Sequence, residues 1–443
     1  MLRNSWLPIA CALTACASGR GKNIEEANTN PAVGERQHER SKFDNEIDDY
    51  AKSLREEGQK TFRHDTFGDE AFWGGELRLH EAVATLTPKA ALGAGLKVDS
   101  GELGKILIEA IKGGKVSLDK TETTLELLKA NSVVGVKAFF DDKGKMTSIG
   151  ITCALCHSTV DDSLASGIGR RLDGWPNRDL DVGAIVSMAP NLKPFTSTLG
   201  IDEATLKKVL ASWGPGKYDA EVIQDGKALR PDGKAAATLL PAAFGLAGVN
   251  LHTYNGWGSV PYWNAYVAVT QMHGKGTFFD PRLADRTQYP VTRKTRFDDV
   301  RPDGEDRVTP KLAALHYYQL SIPPPKPRKE TFDADAAKRG ESIFASKARC
   351  ATCHVPPLFV EPGWSMHSAA ELGVDDFQAG RSPDQKFYRT TPLRGLFVRA
   401  KGGFYHDGRF PDLVAVVSHY DRHLNLRLDD AEKRDLVEYL KSL

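Results

Sequence analysis

The sequence predicts a mainly α-helical protein in two unequal domains, the first enlarged by long loops and a small β-hairpin. Three observations carry that expectation. Apolar residues recur at three- and four-residue spacing near both ends of the chain, two cysteine–histidine clusters lie far apart, and a proline-rich run separates them. With 443 residues, the chain is long enough for more than one domain with its own core.

The chain opens on "MLRNSWLPIACALTAC", with Arg3, an apolar run from Trp6, and Leu13-Thr14-Ala15 before Cys16. That is the layout of a secretory signal over residues 1–15, and it resembles a bacterial lipobox, in which the cysteine at the cut carries lipid. An ordinary signal cut a few residues later is the alternative. Residues 16–40 are polar and aperiodic, as in a flexible tether. No later stretch reaches the roughly 18 apolar residues of a spanning helix, and "LLPAAFGLAGVNL" reads as buried core. The expectation is a periplasmic protein that meets the membrane only through a lipid anchor. Losing Arg3 with the signal leaves 58 basic against 58 acidic residues, from 59 and 58. Such a balance gives no general attraction to nucleic acid or anionic lipid, so function rests on local sites.

Residues 41–320 form the expected first domain. Phe43, Ile47, Tyr50 and Leu54 mark an amphipathic helix. A second helix is expected over "DEAFWGGELRLHEAVATL". Residues 133–152 read as two short strands around an Asp-Asp-Lys-Gly turn, running straight into "CALCH". Residues 321–330, "SIPPPKPRKE", form a stiff linker and the domain boundary. In the second domain, 331–443, a short helix runs into "CATCH". The chain ends in a helix where Asp429 and Glu432 form a capping box and Leu436, Leu440 and Leu443 share one face.

Of six cysteines, Cys11 leaves with the signal and Cys16 is the candidate lipid site. The other four form the same C-x-x-C-H pattern twice, Cys153, Cys156 and His157, then Cys350, Cys353 and His354. Chance gives about 0.002 such matches in a chain of this composition. In this pattern two thiols bond the vinyl carbons of haem and the histidine ligates iron. The expected cofactors are therefore two covalently bound c-type haems, with His157 and His354 as proximal ligands. A zinc site shared by both cysteine pairs is the competing reading; a thioredoxin-like pair lacks the βαβ surroundings it needs. As in class I cytochromes c, the first and last helices of the second domain are expected to cross at the haem edge, with Gly340 permitting the close approach.

Residues 388–421, "YRTTPLRGLFVRAKGGFYHDGRFPDLVAVVSHYD", resemble the C-terminal half of the bacterial di-haem cytochrome c peroxidases and MauG-type enzymes. Pro392, Leu393, Arg394, Tyr405, His406, Asp407, Gly408 and Leu413 match, although the family usually has a spacer between proline and leucine. The resemblance is specific over 332–443 and looser before it. It implies an oxidoreductase in which one iron with an open position takes hydrogen peroxide or a related oxidant, while the other stores or relays an electron. A small redox donor protein or quinol-linked cytochrome would be the partner. Arg394 is implied as a cofactor-binding residue.

The family places a distal ligand fourteen residues after the His406 histidine, which lands on Tyr420; His419 is the neighbouring alternative. An anionic oxygen ligand favours ferric iron, so this domain suits oxidised chemistry. At the first site the family's pattern breaks. Leu172-Asp173-Gly174-Trp175 stands in place of tryptophan-aspartate-glycine-arginine, and the positions of the family's glutamine and glutamate fall on Val182 and Leu192, which transfer no proton. His80, Met272 and His273 are candidates for the first distal side, with His252, Trp257 and Trp263 in the same aromatic-rich stretch. Trp175 is the candidate relay between the haems. Asp303, Glu305 and Asp306 are candidates for a calcium held between domains. Two further functions remain open: a di-haem oxygenase on an apolar exported substrate, and a non-enzymatic electron carrier.

Overall fold

The computed structural model describes residues 41–383 and 386–443. The signal, Cys16 and the tether lie outside the described residues. The described residues are mainly helical, and the strands pair only in two-stranded sheets. Asp49–Leu443 form one compact unit. Along it the proline segment runs extended, with the Gly245 amide donating to the Ile322 carbonyl at 2.9 Å.

Helix α1 (Lys42–His64) forms where the periodicity placed it, although Phe43, Ile47 and Tyr50 on its apolar stripe are exposed. Its buried contacts come later. A Cβ on Gly58 would collide with the Ala314 carbonyl, so that glycine sets the approach of the Leu312–Ser321 helix. The expected second helix is broken. Ala71–Glu76 form a π-helical turn, Arg78 takes φ +56°, and only Leu79–Val83 resume α geometry. Gly74 explains the break, because a Cβ there would strike Ser148 on the adjoining hairpin. Close packing of that turn on the sheet outweighs helix continuity.

The hairpin matches its sequence signals. Strands β1 (Val136–Phe140) and β2 (Met146–Ile151) pair antiparallel, with Val136 opposite Ile151. Asp141 Oδ1 accepts from the Lys143 and Lys145 amides, closing the turn. The Asp69 carboxylate then takes the Ile151 amide, and the Thr152 hydroxyl donates to the Arg63 carbonyl. These bonds fix the chain two residues before Cys153.

In the last hundred residues, α2 (Ala334–Ala345) crosses α3 (Asp430–Ser442) at Gly340, where an added Cβ would meet the Asp435 carbonyl. The Asp429–Glu432 capping box is present in both directions. Phe344, Leu436, Val437, Tyr439 and Leu440 fill the core behind the crossing. Gly340→Ala is therefore expected to lower unfolding stability by about 1–3 kcal/mol, the range for overpacking a tight contact. Chemical denaturation monitored by far-ultraviolet circular dichroism measures it.

Candidate functional site

Each C-x-x-C-H run opens onto its own cavity. The first cavity, about 250 Å³, is lined by Cys153, Cys156 and His157 with apolar walls that include Leu79, Val186 and Leu240. The second, about 550 Å³, is lined by Cys350, Cys353 and His354 with Leu393, Val417 and Leu436. All four thiols are unpaired to one another. Burial pushes Cys153, Cys156 and Cys350 up to about 12, so these are not the acidic thiols of a redox pair. Among the described residues no cluster of metal-binding side chains joins the two pairs, against the shared-zinc reading.

The histidines are set in the same way at both sites. His157 Nδ1 lies 3.1 Å from the Pro241 carbonyl, and His354 Nδ1 lies 3.1 Å from the Phe359 carbonyl. A carbonyl only accepts, so each Nδ1 carries the proton and each lone pair is on Nε2. Such a backbone bond is how a metal-ligating histidine is fixed in tautomer and orientation. Burial also lowers both imidazole pKa values and keeps the rings neutral. Apolar cavities, paired thiols and neutral, oriented imidazoles fit a covalently held haem at each site.

Sequence-derived candidates separate clearly. Tyr420 lines the second cavity from the helix Leu413–His423, and burial raises its phenol pKa. His419, one residue earlier, turns away and its Nε2 bonds the Leu372 carbonyl at 2.8 Å. Tyr420→Phe is therefore expected to convert one low-spin haem to high-spin, while His419→Ala leaves the electron paramagnetic resonance spectrum nearly unchanged. The opposite pattern would shift the register by one residue.

At the first site, Met272 and His252 line the cavity. His273 does not; its ring stacks on Phe72 at 3.5 Å. His80 sits beside the cavity-lining Leu79 but is not itself in the wall. Trp263 is in the wall, with Trp257 stacked on it at 5.0 Å. Trp175 lines neither cavity and packs edge-on against Phe397 at 5.8 Å. The wall common to both cavities is instead Pro241, Ala242, Thr253, Tyr254 and Arg389, so Tyr254 is the aromatic ring between the sites. Arg394 is exposed; it donates to the Pro357 carbonyl and lies over the Phe359 ring, outside the cavity wall. Asp303, Glu305 and Asp306 do not converge as a cation site among the described residues, and Asp306 is occupied by the Thr277, Val308 and Thr309 amides.

Two residues with no sequence signal fill the gap left by Val182 and Leu192. Glu221 and Gln378 line the first cavity, and Gln378 Nε2 donates to Glu221 Oε1 at 2.9 Å. Behind them Arg381 is fully buried and bonded to Asp219 and Asp225, each at 2.8 Å. Three buried carboxyl groups thus share one guanidinium. Asp219 and Asp225 bond it directly, whereas Glu221 is bonded by Gln378 and meets the guanidinium only through its charge. Burial, opposed by Arg381 and aided by the neighbouring carboxylates, pushes Glu221 up to about 7.

No family model matches the chain. It is 29% identical over 181 residues to the methylamine utilization protein MauG of Methylorubrum extorquens, covering 37% of this chain and 51% of that protein. The chain thus spans about half the length of the curated relative it matches. Structural neighbours include a hydrazine synthase from Kuenenia stuttgartiensis (TM-score 0.27, 21% identity, 48% of this chain and 75% of that one). Another is a MauG-like protein associated with microbial copper homeostasis (TM-score 0.31, 18% identity, 48% of this chain and 76% of that one). At those scores neither carries an argument about architecture. The chain is thus similar to a MauG protein over part of its length, in line with the resemblance its second-half motifs carry.

Proposed function

We propose that this protein is an exported di-haem c-type oxidoreductase of the peroxidase/MauG type, acting on hydrogen peroxide or a related small oxidant. The single observation that carries the reading is the pair of separate cavities, each with a C-x-x-C-H run whose histidine is neutral and fixed through Nδ1. Cys153, Cys156 and His157 would hold one haem; Cys350, Cys353, His354 and Tyr420 would hold the other. When bound, the two irons supply redox equivalents that no side chain here can store.

Reduction of hydrogen peroxide to two waters consumes two electrons and two protons. The chain's part is to move a proton from one oxygen to the other as the bond breaks. Glu221 is the titratable carboxyl in the first cavity wall placed to do so, with Gln378 fixing its orientation. Leu79, Val186 and Leu240 give that cavity an apolar wall. Tyr254 and the peptide wall at Pro241 and Ala242 border both cavities and would form the protein path between them. A small redox donor protein would return the electrons, and the N-terminal signal would place the protein in the periplasm, lipid-anchored through Cys16.

Electron paramagnetic resonance of the ferric protein tests the reading. One high-spin and one low-spin haem are expected, the mixture that a peroxide-binding haem beside an electron-relaying one would give. Two low-spin haems would make the protein an electron carrier.

A further inference from the structure

Three arginines remain that the chemistry above does not use. Arg178 is 8% exposed, yet its Nε and Nη1 have no hydrogen-bond partner. Arg399 Nε is likewise buried and unpartnered. Arg389 donates only to carbonyl oxygens, of Thr253 and, at 3.4 Å, of Thr390. Among the described residues none of the three has a carboxylate partner. Other buried arginines do: Arg381 has Asp219 and Asp225, and Arg171 has Asp99 at 2.8 Å.

The three are neighbours. Burial and then the charge of Arg399 push Arg389 down to about 10, and burial and the charge of Arg178 do the same to Arg399. Uncompensated like charges in a protein interior are strongly unfavourable unless an anion neutralises them. Their position says where that anion sits. All three line the second cavity, and Arg389 also lines the first. Arg399 is held in place over the Phe244 ring, at 5.1 Å. Planar guanidinium groups of this kind bind carboxylates in pairs of parallel hydrogen bonds.

We infer that Arg178, Arg389 and Arg399 form a carboxylate cradle, shared by the two cavities, that binds the propionate groups of both haems. The inference rests on the di-haem reading and extends it, because one guanidinium facing carboxylates from both sides ties the two redox centres electrostatically. It also replaces Arg394, which faces outward, as the cofactor-binding arginine.

Spectroelectrochemical titration of the purified protein, with a pyridine haemochrome count on the same samples, tests it. Arg389→Met is expected to retain two haems and to move both midpoint potentials to more negative values, since the lost positive charge stabilised the reduced irons. Arg389→Lys, which restores charge without the planar fork, should recover most of the shift. Should Arg389→Met fail to fold, Arg399→Met is expected to lower the potential of the second haem. Two haems with both potentials unmoved, or with only one moved in Arg389→Met, overturn the shared cradle. A free anion is the rival occupant: wild-type potentials that track phosphate concentration, with Arg389→Met insensitive, would overturn the propionate assignment. A haem count of zero refutes the di-haem reading itself and the cradle with it.

Discussion

Glu221→Gln is expected to slow peroxide turnover by roughly 10²–10⁴-fold, the usual contribution of a positioned acid–base group. The substitution keeps the shape and the bond to Gln378 while removing the proton that must move. Because burial pushes Glu221 up to about 7, the wild-type rate should depend on pH in that range. A base must be ionised to accept the first proton, so kcat/KM rises as pH passes upward through about 7 and levels off above it. The glutamine variant should lose this step and run flat. Steady-state kinetics with a chemical electron donor measures both. Retention of the pH step in Glu221→Gln would move the proton-transfer role to another group.

The second large effect follows from the anchors. A Cys153→Ser, Cys156→Ser double variant removes both thiols of the first site, and His157 alone then has to hold its haem. The variant is expected to carry one covalent haem per chain, at Cys350 and Cys353, and to lose peroxide turnover altogether. Folding of the distant Gly340 crossing should survive, because its core is built from Phe344, Leu436 and their neighbours rather than from the first cavity. Loss of covalent haem from both sites in this variant would show that the two cavities do not load independently.

What the sequence made legible was local. The hairpin before Cys153, the Asp429–Glu432 box and the Gly340 crossing each depend on residues within a few positions or on one small side chain, and each is present. Tyr420 faces the second cavity and His419 does not, because Leu413, Val416 and Val417 put a periodic apolar face on that helix. The break in the second helix was illegible, since it arises from Gly74 meeting Ser148 on a strand far along the chain. Glu221 and Gln378 were illegible for the same reason. They lie 157 residues apart, no motif surrounds either, and only the fold brings them to one wall. Trp175 and Arg394 mislead in the other direction, because residues beside a motif need not face its cavity. In each miss the outcome was set by tertiary contacts that no local signal announces.

The most direct test of the central claim is a pyridine haemochrome assay on the denatured protein, produced in a host that matures c-type cytochromes. The account predicts two c-type haems per chain, retained after acid–acetone extraction because both are thioether-linked. One haem, or none, would contradict it.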